Sequence, residues 1–512
     1  MRREQEYDDG AYHKAYMATL RDKERFEWML HGIENEKSLE KKVQLAKIAA
    51  SFAVINNPGY FTSALLENTF IEYAKEHDLK NYNDTYQKES FLHVMTQAYI
   101  VGGHTRVVER WIEQSPNTQN HSVVILNQRD VPIPQRLSDA IRNKNGTLTL
   151  FDEKLELLDR SLKLRQVAQH YQYIVLHIHM DDPTALIAFG TEKFTRPIIF
   201  YNHADHMFWL GVSIADVVAD IRTITSISES RRLIYNPYML GIPIENKTAS
   251  TTTKEAARAK LEIPKDTKLI VTGGSPHKYR TLMGKSLIPI LEDLVNATDN
   301  RVCVAIGPSN TGNWKKANMI TNGKIKAIGA IPYDKGFLDY LVAADVIIDS
   351  WPMGGGTFLI DAISLKRPVI ALPNPMGQSD FITKSECYCK DITDFKYKIN
   401  RILSDEEYAR HLVTEITRNL EKDHSIPNWT KKLHELINQT PNKHQIRDLS
   451  TKENPAIIDE WVIVVNRIYT SLKKYEYICQ YLLVKCGIPN TLLEEIENQC
   501  IKIAKKIYYS IR

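Results

Sequence analysis

Two series of short apolar segments, each alternating with helical stretches, constrain this chain more than any single motif does. "HSVVILNQ", "GTLTLFD", "YQYIVLHIHM" and "RPIIFYNH" make the first; "TKLIVTGG", "NRVCVAIGPS", "KIKAIGAI", "ADVIIDS" and "RPVIALP" make the second. Strands alternating with helices predict a parallel sheet covered on both faces. Two such series predict two α/β domains in tandem. At 512 residues the chain is also too long for one ordinary core. The expected organisation is a helical segment over 1–88, a first α/β domain over 89–240, a second over 241–392, and a helical region over 393–512. "NNPGYF" breaks the first segment, residues 238–254 connect the two domains, and "NQTPNKHQIRDLSTKENP" reads as a polar linker before a small helical appendage.

Composition removes several function classes. Hydrophobic residues at 43% and charged residues at 25% fit a soluble globular protein, and a net charge of +4 gives no basis for wholesale nucleic-acid binding. The start, "MRREQEYDDGAYHKAY", lacks the apolar stretch of a secretory signal, and no run is apolar enough to span a membrane. Six cysteines are too few for a disulfide scaffold, and Cys387 and Cys389 form a lone C-x-C with the character of structural thiols. A cytoplasmic protein is expected. The C-terminal "IKIAKKIYYSIR" puts Ile501, Ala504, Ile507, Tyr508 and Ile511 on one helical face with lysines opposite. Packing on its own domain is the preferred reading; contact with nucleic acid or a membrane surface, at most peripheral, is the alternative.

In open parallel sheets ligands bind at the carboxyl ends of the strands. In "DSWPMGGGTFLIDAISLKRPVIAL" three glycines, Gly354, Gly355 and Gly356, precede Thr357 and a helix. Their backbone N–H groups can approach a phosphate or diphosphate, which the helix dipole favours. Asp361, about one turn further on, can accept hydrogen bonds from vicinal hydroxyls such as a ribose pair; a tight turn followed by a surface Asp is the alternative. "YIVGGHTRVVERW" places Gly102, Gly103 and His104 at the corresponding edge of the first domain. It is not G-x-G-x-x-G, so a nicotinamide or flavin has little support. In "VTGGSPHKYRT", Lys278 and Arg280 can neutralise a diphosphate, unless they are merely solvated. "IIFYNHADHMFWLG" offers His203, Asp205 and His206 as general base, metal ligands or hydrogen-bonding framework. His177, His179, Asp181 and Asp182 in "VLHIHMDDP" could complete a metal site, but His177 and His179 share one strand face and suit packing better.

Taken in order, these segments resemble the glycosyltransferase B (GT-B) fold, two facing Rossmann-like domains with a cleft between them, over roughly residues 90–390. "VGGHTRVVERW" is similar to the G-G-x-E-R loop of the family-four sugar-nucleotide transferases, and "IADVVADIRTITSISESRRLI" to their next strand and helix. "VTGGSPHKYR" resembles their basic donor loop, whose lysine falls at Lys278, and "ADVIIDSWPMGGGTFLIDAISLKRPVIAL" resembles their donor-binding helix. The chain departs from the retaining pattern. Eight positions before Asp361 stands Met353 instead of an acid, and Gly273, Gly274 and Ser275 occupy the place of the usual arginine. The loop D-x-x-P-x-G-G-G-T is more similar to that of inverting protein O- and N-glycosyltransferases.

The resemblance implies transfer of a hexose or N-acetylhexosamine from a nucleoside-diphosphate sugar, UDP-linked, to a glycan or protein acceptor, with inversion and without metal or cofactor. Gly102, Gly103, Gly354, Gly355, Gly356 and Thr357 would bind the donor, Lys278 and Arg280 would offset charge on the leaving diphosphate, and Asp361 would hold the ribose. His206 or Asp205 would be the base, with His104 next, and His203 would face the acceptor. A sugar-nucleotide epimerase or polyol-phosphate transferase on the same fold, and a partner subunit without turnover, remain alternatives.

Overall fold

The computed structural model describes residues 8–487 apart from 78, 80–84, 224, 233, 235, 245–251, 450–455 and 470–472. The C-terminal stretch "IKIAKKIYYSIR" therefore lies outside the described residues.

Both expected sheets form. The first contains β1 (Gln87–Met95), β2 (Asn120–Ile125), β3 (Leu148–Leu150), β4 (Tyr171–His177), β5 (Ile198–Asn202), β6 (Val217–Asp220) and β7 (Pro237–Met239), in the order β3-β2-β1-β4-β5-β6-β7. The second contains β8 (Lys268–Gly273), β9 (Arg301–Ile306), β10 (Ile325–Ala327), β11 (Val346–Ile348) and β12 (Val369–Ile370), in the order β10-β9-β8-β11-β12. Every strand pairing is parallel. The strands read as apolar runs because helices cover both faces. Strand order reverses between β1 and β4 in one sheet and between β8 and β11 in the other, and such switch points open a crevice at the carboxyl edge.

Three local expectations change. The first strand ends at Met95, so "YIV" before Gly102 is a loop, with Ile100 and Val101 exposed. The connection after the first domain begins with a strand, because Tyr238 in β7 pairs with Ala219. The C-terminal region is also not a separate appendage. The helix Ile426–Gln439 returns to the first domain, where fully buried Trp429 meets Trp111 edge-on at 5.9 Å. His444, in the stretch read as a linker, is buried and lies 2.9 Å from Asp216.

The N-terminal segment holds the helices Asp9–Glu34, Leu39–Ile55 and Ala64–Glu76, with Ser38 and Ser63 capping the second and third. Buried Glu67 fastens this layer to the first domain by accepting bonds from the backbone N–H groups of Gly211, Val212 and Ser213 and from the Ser213 hydroxyl. The C-terminal helices pack on the same layer. Tyr481 donates to the Met29 carbonyl at 2.6 Å, and Asn466 to the Thr19 hydroxyl at 3.1 Å. The described N-terminal and C-terminal helices thus brace the first domain together. Trp429→Ala should cost about 3–5 kcal/mol, the usual loss for a buried tryptophan, read as a lower midpoint in urea unfolding.

Candidate active site

The glycine loop is built around a carboxylate that sequence reasoning passed over. Asp349, at the end of β11, is 3% exposed. Its Oδ1 accepts the backbone N–H of Ser350 at 2.8 Å and of Gly355 at 2.7 Å, and its Oδ2 accepts Gln378 Nε2 at 2.5 Å. A Cβ on Gly354 would stand 2.8 Å from Asp349 Oδ2, so that position has room only for glycine. The helix Gly356–Ser364 starts directly behind, with open space over Gly356. Lys278, in the short 3-10 turn after β8, donates to the Gly354 carbonyl at 2.6 Å. Burial pulls its ammonium below the usual lysine range, and Asp349 draws it back. Burial pushes the Asp349 carboxyl up to about 6 against these bonds.

Across the cleft stands a wall of histidines from the first domain. His104 opens the helix Gly103–Gln114 and directs Nε2 to the His177 carbonyl at 3.0 Å. That bond requires a proton on Nε2, and its buried Nδ1 has no partner among the described residues. Burial lowers His104 to about 4. His206 places Nδ1 3.2 Å from Asp205 Oδ1 and Nε2 3.0 Å from the Tyr469 hydroxyl. Burial lowers the His206 imidazole while Asp205 raises it. Asp205 is also forked by Arg222 at 2.5 and 3.0 Å. Its carboxyl is held far below the carboxylate range by Arg222 and His206, despite an opposing push from burial. Arg222 reaches on to the Gly377 carbonyl in the second domain at 2.5 Å.

Two adjoining cavities lie between the domains. One, of about 300 Å³, is lined by His104, His203, Asp205, His206, Arg222, Lys278, Asp349 and the whole glycine loop. The other, of about 210 Å³, is bounded by Gly102, Arg106, Gly273, Ile306, Ile331, Tyr333 and Phe337. Gly103, Lys278, Gly355, Gly356 and Thr357 line both, and so mark the passage between them. Gly103 lacks a side chain because Thr357 is there: an added Cβ would meet its Oγ1 at 2.9 Å.

Two predicted donor residues have other tasks. Asp361 is fully buried and lines neither cavity. Arg106 grips it at 2.6 and 3.1 Å and Arg110 at 2.6 Å, so both carboxylate oxygens face guanidinium groups. A helix-borne Asp opposite two arginines of the other domain pairs with them ahead of any ribose. Arg280 is exposed and donates to the Ile468 carbonyl at 2.5 Å, away from both cavities.

No family model matches the sequence, and no curated protein resembles it by sequence. Comparison with solved structures gives a clear result. HepE from Anabaena, solved with UDP and glucose, superposes with a TM-score of 0.54 over 68% of this chain and 99% of its own, at 10% identity. A glycosyltransferase from Rickettsia africae gives 0.54 over 70% and 99%, at 12% identity. The chain has the GT-B fold. The two GT-B sheets face each other across the paired cavities, with both switch points opening into them.

Of the residues singled out by sequence, the structure gathers Gly102, Gly103, His104, His203, Asp205, His206, Lys278 and Gly354–Thr357 around this space. Asp349, Arg222, Gln378 and Tyr469 were missed. Asp349 and Arg222 carried a usable signal, since each follows a strand at the carboxyl edge. Tyr469 carried none, being 263 residues from His206.

Two outcomes test this geometry. Asp361→Ala strands two buried arginines, so it should destabilise the protein by about 3–5 kcal/mol, measured by chemical unfolding. The second concerns pH. Asp349 titrates near 6 when folded, above an ordinary carboxyl, so the folded state holds this proton more tightly. Its contribution is complete below about pH 4 and is lost as pH rises through 6. Asp349→Asn should therefore gain roughly 1–3 kcal/mol on the wild type between pH 4 and pH 7, read from paired unfolding curves.

Proposed function

We propose that this chain is a glycosyltransferase that moves a hexose or N-acetylhexosamine from a UDP-linked donor to a glycan or protein acceptor. The observation that carries this reading is the passage where the two cavities meet. It is lined by a glycine loop, a helix start and a half-buried lysine, which together suit a diphosphate. On one side, the cavity with Ile306, Ile331, Phe337 and Tyr333 suits a base and ribose. On the other, the polar cavity with the histidine wall suits the sugar and the acceptor. HepE, of the same fold, was solved with UDP-glucose as well.

Lys278 would offset charge on the leaving diphosphate, together with the loop N–H groups; this supplies a route that needs no metal. His206 would take the acceptor proton. The Asp205 carboxylate accepts its Nδ1–H, which leaves the Nε2 lone pair as the basic site, now capped by the Tyr469 hydroxyl. An acceptor group would displace that hydroxyl. Asp205 itself is a weak base because Arg222 neutralises it, so its part is to orient His206. With Met353 where a retaining enzyme has an acid, transfer would invert the anomeric carbon. The reading places the protein in the cytoplasm, where nucleotide sugars are available.

Free nucleotide and labelled acceptor should appear together, and NMR of the first product should show the inverted anomer; a retained anomer would overturn the single-displacement mechanism. Lys278→Ala should reduce turnover by roughly 100- to 1,000-fold, the range for a lost transition-state donor, with a smaller change in donor KM. An equal rise in KM at unchanged turnover would mean uniform binding and contradict the role.

A further inference from the structure

Behind the cavity wall, four imidazoles form a continuous row across the first sheet. His203 Nε2 lies 2.8 Å from His177 Nδ1, His177 Nε2 lies 3.0 Å from His93 Nδ1, and His93 Nε2 lies 2.9 Å from His121 Nδ1. The row runs from the residue after β5 across β4, β1 and β2 on the face covered by Trp111, which meets His93 and His177 edge-on. His93, His121 and His177 are fully buried. Burial holds all four rings below the usual histidine range, so they are neutral near pH 7.

A neutral imidazole has one donor nitrogen and one acceptor nitrogen. Three bonds in a row can then be satisfied in only two ways: every proton on Nε2, or every proton on Nδ1. The far end decides between them. His121 Nε2 is buried without a partner among the described residues, and the Lys144 ammonium acts on this ring. Protons on Nε2 would leave an orphaned N–H there, which folded proteins rarely tolerate. Protons on Nδ1 leave a lone pair, which the nearby positive charge favours. The dead end also prevents the row from conducting a proton through, so it acts as a lock.

We propose that this row fixes His203 with its proton on Nδ1, as a permanent hydrogen-bond donor into the acceptor side of the cavity. Among the described residues the bond to His177 occupies Nε2 of His203 and none is made by its Nδ1, and His203 lines that cavity. The bound substrate must then offer an oxygen lone pair at that point, and His203 is a specificity residue instead of a base. His177, His93 and His121 are positioning residues acting through it. This rests on the glycosyltransferase reading for the identity of the substrate, but the proton positions do not.

The first test therefore needs no turnover. In protein labelled with ¹⁵N-histidine, long-range ¹H–¹⁵N correlation at pH 7 should show protonated Nδ1 and bare Nε2 at His203, His177, His93 and His121. A proton on Nε2 of His203, or an even mixture, overturns the proposal. His177→Leu removes the N–H that faces His203 Nε2, so the His203 signals should redistribute between tautomers, and unchanged signals would contradict the lock. His121→Leu only moves the dead end to buried His93 Nε2, so His203 should keep its proton on Nδ1 there. In turnover, His203→Leu should raise acceptor KM by roughly tenfold, the worth of one hydrogen bond, with donor KM unchanged. His203→Asn, which keeps an N–H near the Nδ1 position, should recover most of that loss. Equal KM values for both variants would argue against a donor at this site.

Discussion

The ion cluster of Arg106, Arg110 and Asp361 joins the two domains, and the geometry of the site depends on it. Two arginines one helical turn apart on the first domain close on a single aspartate from the helix behind the glycine loop. All three side chains are buried, so the cluster persists only with tight, multiply bonded geometry. It brings the start of the helix Gly103–Gln114 against the start of the helix Gly356–Ser364, which is why Gly103 touches Thr357. The passage between the cavities lies at this contact. Arg106 also stacks on Tyr333 at 3.8 Å, so the same cluster forms part of the wall of the smaller cavity.

Around this joint the charges divide the work. On the second domain, Asp349 organises the glycine loop through backbone N–H groups, and Lys278 supplies a cation beside the start of a helix. On the first domain, Asp205 is neutralised by Arg222, and the histidines are uncharged near pH 7. Under the proposed function, a wall without net charge opposite Lys278 and a helix start suits a neutral sugar leaving an anionic diphosphate. Arg222, bonded to both Asp205 and the Gly377 carbonyl, is a second link between the domains at the outer side of the same space.

Much of this was legible in the sequence because parallel strands buried on both faces announce themselves as apolar runs. Every segment read as a strand in the two series became one, and the carboxyl-edge rule then gathered the loops that line the two cavities. What was not legible depended on distant partners. Asp361 looked like a ligand residue until arginines more than 250 positions earlier proved to hold it. Arg280 looked free until the Ile468 carbonyl took it. The three-residue β7 is too short for periodicity to mark, and Trp429 gives no local sign that its helix crosses back to Trp111. His93 and His121, two members of the imidazole row, look like ordinary strand residues until the register sets them beside His177.

The central claim is that both domains share one nucleoside-diphosphate site at the passage lined by Gly103, Lys278 and Gly355–Thr357. Hydrogen exchange with and without saturating UDP tests it most directly. The account predicts that UDP slows exchange together in three segments: residues 102–106, 273–280 and 354–358. Protection confined to other segments, or no protection by any nucleoside diphosphate, would contradict it.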